Sequence, residues 1–159
     1  MKLLPSEAQC ACVCAIDPGR RKCGLAVVDE TLQVREQRVV ATEKIGSAVG
    51  QVRERYRLRA VLVGSGTGSA AVWERLASEL ADLPLLSVDE RGTTLEARQR
   101  YFAANPPRGL WRLLPLSLRT PPVPYDDYVA ILLAERYWQT AGTSEGKRKE
   151  ERENSPSQP

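Results

Sequence analysis

The chain has 159 residues, 42% hydrophobic and 27% charged, which suits one globular domain with a sizeable core. It contains no histidine, which excludes His-based triads, His-ligated zinc and a His general base, so any catalysis rests on carboxylates, Lys, Arg, hydroxyls or thiols. A net charge of +3 permits a nucleic-acid partner. No apolar run approaches the roughly 18 residues of a membrane span, and Met1 to Gln9 lacks the apolar core of a secretory signal; no membrane partner and a cytoplasmic location are expected.

Residues 1–9 read as a loose lead-in, 10–140 as the folded domain and 141–159 as a disordered tail, the last because it is polar and charged without periodicity. A first strand over about Cys10–Asp17 is apolar on both faces, as a central strand covered on both sides is. Cys10, Cys12 and Cys14 alternate, so they share one strand face while Val13, Ala15 and Asp17 share the other. Residues on one strand face rarely surround a metal, and free Cys behaves as a compact hydrophobe, so buried thiols are expected rather than zinc ligands. Pro18 and Gly19 set a turn into a second strand, about Lys22–Val28, in which Gly24 admits close approach of a ligand or another backbone. A third strand, about Leu32–Ala41, alternates with charges and reads as a half-exposed edge.

Thr42 is expected to cap a helix with Ile45, Val49, Val52 and Tyr56 on its inner face. Arg59–Gly64 reads as a buried strand, Ser65–Ser69 as a Gly-rich loop, and Ser69 as the start of a helix burying Val72, Leu76 and Leu80 until Pro84. Leu85–Val88 is a fifth strand. Thr93 with Glu96 fits a capping box for a helix over about Leu95–Ala103. Residues 105–124 hold six prolines, too many for regular structure, and carry Arg108, Trp111, Arg112 and Arg119. Trp111 is expected to pack in preference to stacking on a base. Tyr125-Asp126-Asp127 opens a last helix with Val129, Leu132, Leu133 and Trp138 facing inward, its two acids suiting the helix dipole. This order predicts an α/β domain, a mixed sheet with helices on both faces.

Three acidic points stand out: Asp17 ends the first strand, Glu90 follows the fifth, and Asp126-Asp127 opens the last helix. Sites in open α/β sheets lie at the carboxyl ends of strands, and a cluster of carboxylates there suits Mg²⁺ or Mn²⁺. Two such ions activate water and stabilise the leaving oxygen of a phosphodiester. Arg20, Arg21 and Lys22, on the turn beside Asp17, suit phosphate contacts, and Arg112 on the Pro-rich segment is placed with them. Arg91 is read as orienting Glu90 or meeting the scissile phosphate. The bland readings are that Asp17 caps a turn, Glu90 pairs with Arg91 or Arg98, and Asp126-Asp127 only cap the helix.

Three segments resemble the YqgF/RuvX family, relatives of the RuvC Holliday-junction resolvases in the ribonuclease H-like superfamily. They are Ala15-Ile16-Asp17-Pro18-Gly19 through Gly24-Leu25-Ala26-Val27, Val88-Asp89-Glu90-Arg91-Gly92-Thr93-Thr94-Leu95-Glu96-Ala97, and Asp126 through Leu133. Their order and spacing cover roughly residues 12–139. The resemblance implies a ribonuclease H-like fold: a five-stranded mixed sheet in the order 3-2-1-4-5, second strand antiparallel. It also implies a Mg²⁺- or Mn²⁺-dependent nuclease that trims the 5′ end of precursor 16S ribosomal RNA or resolves branched DNA, as a monomer or homodimer. Asp17, Glu90 and an acid at 126–127 would hold the metals. Asp126 aligns best, and since Asp127 lies about 100° round the helix only one is expected to face the site. Gly64-Ser65-Gly66-Thr67-Gly68 departs from the family's usual turn, as does the Pro-rich segment. Two other classes stay open: a nucleotide-binding ATPase domain, disfavoured because that type needs two such domains, and a non-catalytic nucleic-acid-binding protein, disfavoured because bare carboxylates repel phosphate.

Overall fold

The computed structural model describes residues 10–118, 121 and 124–153. Its strands are β1 (Cys12–Asp17), β2 (Lys22–Asp29), β3 (Val34–Ala41), β4 (Leu58–Gly64) and β5 (Leu85–Val88). Its helices are α1 (Ile45–Arg55), α2 (Ser69–Glu79), α3 (Thr93–Ala104) and α4 (Asp126–Glu153). The sheet order is β3-β2-β1-β4-β5. β2 runs antiparallel to both β1 and β3, while β1, β4 and β5 are parallel. This is the strand order, with an antiparallel second strand, that the family resemblance implies.

The alternation in β1 decides which helix meets which face. Cys12, Cys14 and Ile16 join Leu25, Val27 and Val61 in a core closed by Val49 and Val52 of α1 and Val72 and Leu76 of α2. Val13 and Ala15 pack with Ala26, Val28 and Leu62 against Ala130, Leu133 and Trp138 of α4 on the opposite face. Asp17 follows Val13 and Ala15 in the alternation and so belongs to the α4 side. The Trp138 indole N–H donates to the Val28 carbonyl at 3.2 Å, fixing α4 over β2. Helix α3 packs on α4, with Ala97 against Val129 and Leu132.

Cys12, Cys14 and Cys23 are buried and all four thiols are free. Burial pushes the Cys12 thiol up to about 11 and the Cys14 thiol up to about 12, so both are neutral core side chains. β3 is the half-exposed edge that its alternation predicts. Asp29, fully buried at the end of β2, accepts from the Thr31 hydroxyl at 2.6 Å and the Arg35 guanidinium at 2.7 Å, and so organises the turn into β3.

Two expected caps are not made. Thr42 opens a short 3-10 turn with no side-chain cap; its hydroxyl donates instead to the Gly19 carbonyl at 2.8 Å, tying the end of β3 to the β1–β2 turn. Thr93 does not close a capping box with Glu96; its hydroxyl donates back to the Glu90 carbonyl at 2.6 Å. In both cases the hydroxyl donates to a loop carbonyl rather than accepting from a helix amide. The Pro-rich segment holds two 3-10 turns, Gly109–Leu113 and Leu116–Leu118. Trp111 is exposed there, not packed, because the prolines keep its turn off the core. Helix α4 continues to Glu153 where composition alone reads a disordered tail from 141. Arg119 and the lead-in 1–9 lie outside the described residues. Among the described residues no helix is long and apolar enough to cross a membrane.

Candidate active site

The strand register brings the acids together. Asp17 is paired across the sheet with Gly24. A Cβ on Gly24 would lie 2.0 Å from the Asp126 carbonyl oxygen, so the missing side chain is what lets the N-terminus of α4 settle onto β2 beside Asp17. On the other side of β1, the parallel ladder places Gly64 at the end of β4, level with Val88 of β5. Glu90 then folds back over β4. Cβ atoms on Gly64 and Gly66 would fall 1.7 and 2.1 Å from its carboxylate oxygens. The Gly-rich loop thus makes room for Glu90, and the Gly66 amide donates to its carboxylate, so that amide is turned to an acid and not outward to a phosphate.

The Glu90 loop is also strapped from α4. The Arg136 guanidinium donates to the Asp89 carbonyl at 2.9 Å, and Arg100 of α3 makes a two-point contact with Glu135 at 2.8 and 2.6 Å. One helix therefore carries Asp126 at its start and, further along, the residue that holds the backbone beside Glu90.

Asp17, Glu90 and Asp126 line one open cavity of about 460 Å³, walled by Thr94, Pro121 and Tyr125. Tyr125 is fixed by a hydrogen bond from Arg98 to its hydroxyl at 3.2 Å. Burial, the charges of Glu90 and Asp126, and hydrogen bonds to both push the Asp17 carboxyl up to about 8. Burial likewise raises Glu90, against the opposing pull of the Gly66 amide and Asp17. Asp126 is raised by burial and by the charge of Asp127, against a hydrogen bond from Asp17 and the nearby Lys22. Glu90 Oε1 is buried with no hydrogen-bond partner among the described residues.

Asp127 points elsewhere: it accepts from Gln37 Nε2 of β3 at 3.1 Å and from the Tyr128 amide at 3.1 Å. Arg91 is turned to Asp89, donating its amide to Oδ1 at 3.0 Å and its Nε to Oδ2 at 2.7 Å, and not to Glu90. Arg98 donates to the Tyr125 hydroxyl, with its guanidinium over the Tyr125 ring. Arg20, Arg21 and Lys22 are exposed on the β1–β2 turn beside Asp17. Arg112 lies apart from the acidic cavity, lining a second cavity with Arg108, Pro106 and Pro107. The space-making glycines at 64 and 66 and the strap from Arg136 have no local sequence signal; each depends on a contact between distant segments.

The donor set fits a divalent cation. It offers only hard carboxylate oxygens, three mutually repelling acids and one orphaned buried oxygen, all of which a cation would relieve. Among the described residues no three such side chains already stand as a metal cage. Asp17 is instead hydrogen-bonded to both Glu90 and Asp126.

No family model and no curated protein matches the chain. Among solved structures it is similar to Thermus thermophilus RuvC, with 19% identity, TM-score 0.49, and 77% of this chain covering 90% of that one. It is also similar to T. thermophilus RuvC in complex with Holliday junction substrate, with 22% identity, TM-score 0.46, and 78% of this chain covering 90% of that one. A ROK family glucokinase from Streptomyces griseus in complex with glucose and AMPPNP follows at 16% identity and TM-score 0.38, with 57% of this chain covering 36% of that one. Likeness this distant assigns neither family nor activity.

Proposed function

We propose that the chain is a metal-dependent nuclease hydrolysing phosphodiester bonds of structured nucleic acid, with the 5′ end of precursor 16S ribosomal RNA as its substrate. The observation that carries this reading is the convergence of Asp17, Glu90 and Asp126 from three distant segments into one open cavity, with glycines at 24, 64 and 66 vacating the space they need. The substrate follows from the motif resemblance in the first, fifth-strand and last-helix segments.

Mg²⁺ or Mn²⁺ held by Asp17, Glu90 and Asp126 would supply Lewis acidity and an activated water for the hydrolysis. To hold the cation, Asp17 would have to be a carboxylate, since metal ligands must be deprotonated. The Gly66 amide and the Thr93–Glu90 contact orient Glu90. Arg20, Arg21 and Lys22 sit where a phosphodiester backbone entering beside Asp17 meets positive charge, which offsets the repulsion between substrate and acids. Thr94 and Tyr125 line the floor that the nucleotide next to the cut would touch.

The test is cleavage of a 5′-extended ribosomal RNA precursor and a four-way DNA junction, side by side, with Mg²⁺, Mn²⁺ or EDTA. RNA trimming that disappears in EDTA and in Asp17→Asn supports the reading. Paired cuts in the junction with the same dependence transfer the activity to branched DNA. Binding without cleavage of either, at every metal concentration, overturns it in favour of a non-catalytic nucleic-acid-binding protein.

A further inference from the structure

Between α3 and the acidic cavity the chain forms a strap that the acidic site does not use. Its first 3-10 turn, Gly109–Leu113, leaves Leu110 and Leu113 each 81% exposed and Trp111 58% exposed. Beside that turn, Arg108 and Arg112 line a cavity of about 550 Å³ together with Pro106 and Pro107. No acidic residue occurs in the sequence between Glu96 and Asp126, while Arg98, Arg100, Arg108, Arg112 and Arg119 all do. The strap is therefore purely cationic as well as apolar. Further along it, Pro121, Pro124 and Tyr125 form one wall of the cavity that holds Asp17, Glu90 and Asp126.

We infer that this strap is a subsite for unpaired nucleotides of the substrate, flanking the position of cleavage. The Trp111 indole gives an exposed face for a base to stack on, and the Arg108–Arg112 cavity takes the adjoining phosphates. Three features select this occupant. The exposed aromatic is interleaved with guanidiniums, the pattern that single-strand binding combines from stacking and phosphate contact. The absence of any acid on the strap complements a polyanion. Pro121, Pro124 and Tyr125, later in the same segment, line the acidic cavity, which sets this segment beside the position of cleavage. The inference rests on the nucleic-acid reading of the acidic cavity and adds a preference for single-stranded segments next to the cut.

The test is equilibrium binding in EDTA, which removes cleavage from the readout. Fluorescein-labelled single strands of about 20 nucleotides, longer than a single-strand site of one small domain, and the matching duplexes are titrated over a range of salt. Both RNA and DNA versions are used. The full chain, Trp111→Ala, Trp111→Phe, and Arg108→Ala with Arg112→Ala are compared. All three positions are exposed, and circular dichroism confirms folding of each variant. The expected result is single-strand binding weakened on the order of tenfold by Trp111→Ala and restored by Trp111→Phe, with little change for duplex. The double arginine variant lowers the salt slope by about one to two. Single-strand affinity and salt slope equal to those of the parent in every variant overturn the subsite. So does a self-association that only Leu110→Ser or Leu113→Ser abolishes, which makes the strap a protein-docking surface. Failure of the subsite alone leaves metal-dependent cleavage intact, whereas failure of the nuclease reading removes cleavage while the strap effects on binding persist.

Discussion

Among the acids, Asp17 has the most to gain from a bound cation. Its carboxyl titrates near 3.8 in an unfolded chain and is pushed up to about 8 in the fold. Between those values the folded state holds more protons than the unfolded one, so stability falls as pH rises through that window and levels off above it. The effect has an upper bound of a few kcal/mol, because the group is only half-buried. In EDTA, thermal unfolding is expected to show a lower Tm at pH 8.5 than at pH 5, and Asp17→Asn is expected to flatten that slope while abolishing cleavage. A parent Tm that does not fall over that range contradicts the burial assigned to Asp17. Asp29 behaves oppositely. Burial raises it, but hydrogen bonds from Thr31, Gln33 and Arg35 outweigh burial and hold it below the usual carboxylate range, so its contribution is present above about pH 4 and lost in acid. The two neighbouring acids on α4 also separate. Asp126→Asn is expected to lower cleavage about a hundredfold or more, while Asp127→Asn, which loses only the Gln37 contact, stays within about threefold in a single-turnover assay.

Glycine contacts at the level of elements give a sharper contrast. Ala at Gly24 meets the backbone of Asp126, which cannot rotate away, so Gly24→Ala is expected to cost several kcal/mol in a urea titration as α4 lifts from β2. Ala at Gly64 meets only the end of the Glu90 side chain, which swings aside. Gly64→Ala is expected to fold within about 1 kcal/mol of the parent and yet lose cleavage, because Glu90 leaves the cavity. Equal losses of stability in both would mean that the β4–β5 junction is as rigid as the β2–α4 contact. The strands were legible because β1, β2 and β4 are short apolar runs bounded by Gly, Pro and charge, and the 3-10 turns were not, because prolines mark only where regular structure stops. That one of Asp126 and Asp127 faces inward follows from helical periodicity; which one depends on Gly24 standing opposite Asp17, a register that no local pattern states. Thr42 and Thr93 misled for the same reason. A hydroxyl near a helix start looks like a cap until a distant or preceding carbonyl, Gly19 or Glu90, takes it.

For the molecule as a whole, a net charge of +3 is too small to describe its surface. Arg20, Arg21 and Lys22 stand on the β1–β2 turn, Arg108 and Arg112 on the Pro-rich strap, and Asp17, Glu90 and Asp126 in the acidic cavity. An arrangement of this kind attracts a polyanion at its rim and rejects it at its centre unless a cation stands there. The five strands and four helices serve that geometry directly: parallel β1, β4 and β5 send their carboxyl ends to one edge, and α4 returns an acid to the same edge. The claim on which everything else depends is that Asp17, Glu90 and Asp126 together bind a divalent cation. Calorimetric titration of Mn²⁺ into the full chain at pH 8, repeated on Asp17→Asn and Asp127→Asn, measures it most directly. The account predicts saturable binding in the parent and in Asp127→Asn, and none in Asp17→Asn. Absence of saturable Mn²⁺ binding to the parent, or binding unaltered in Asp17→Asn, would contradict it.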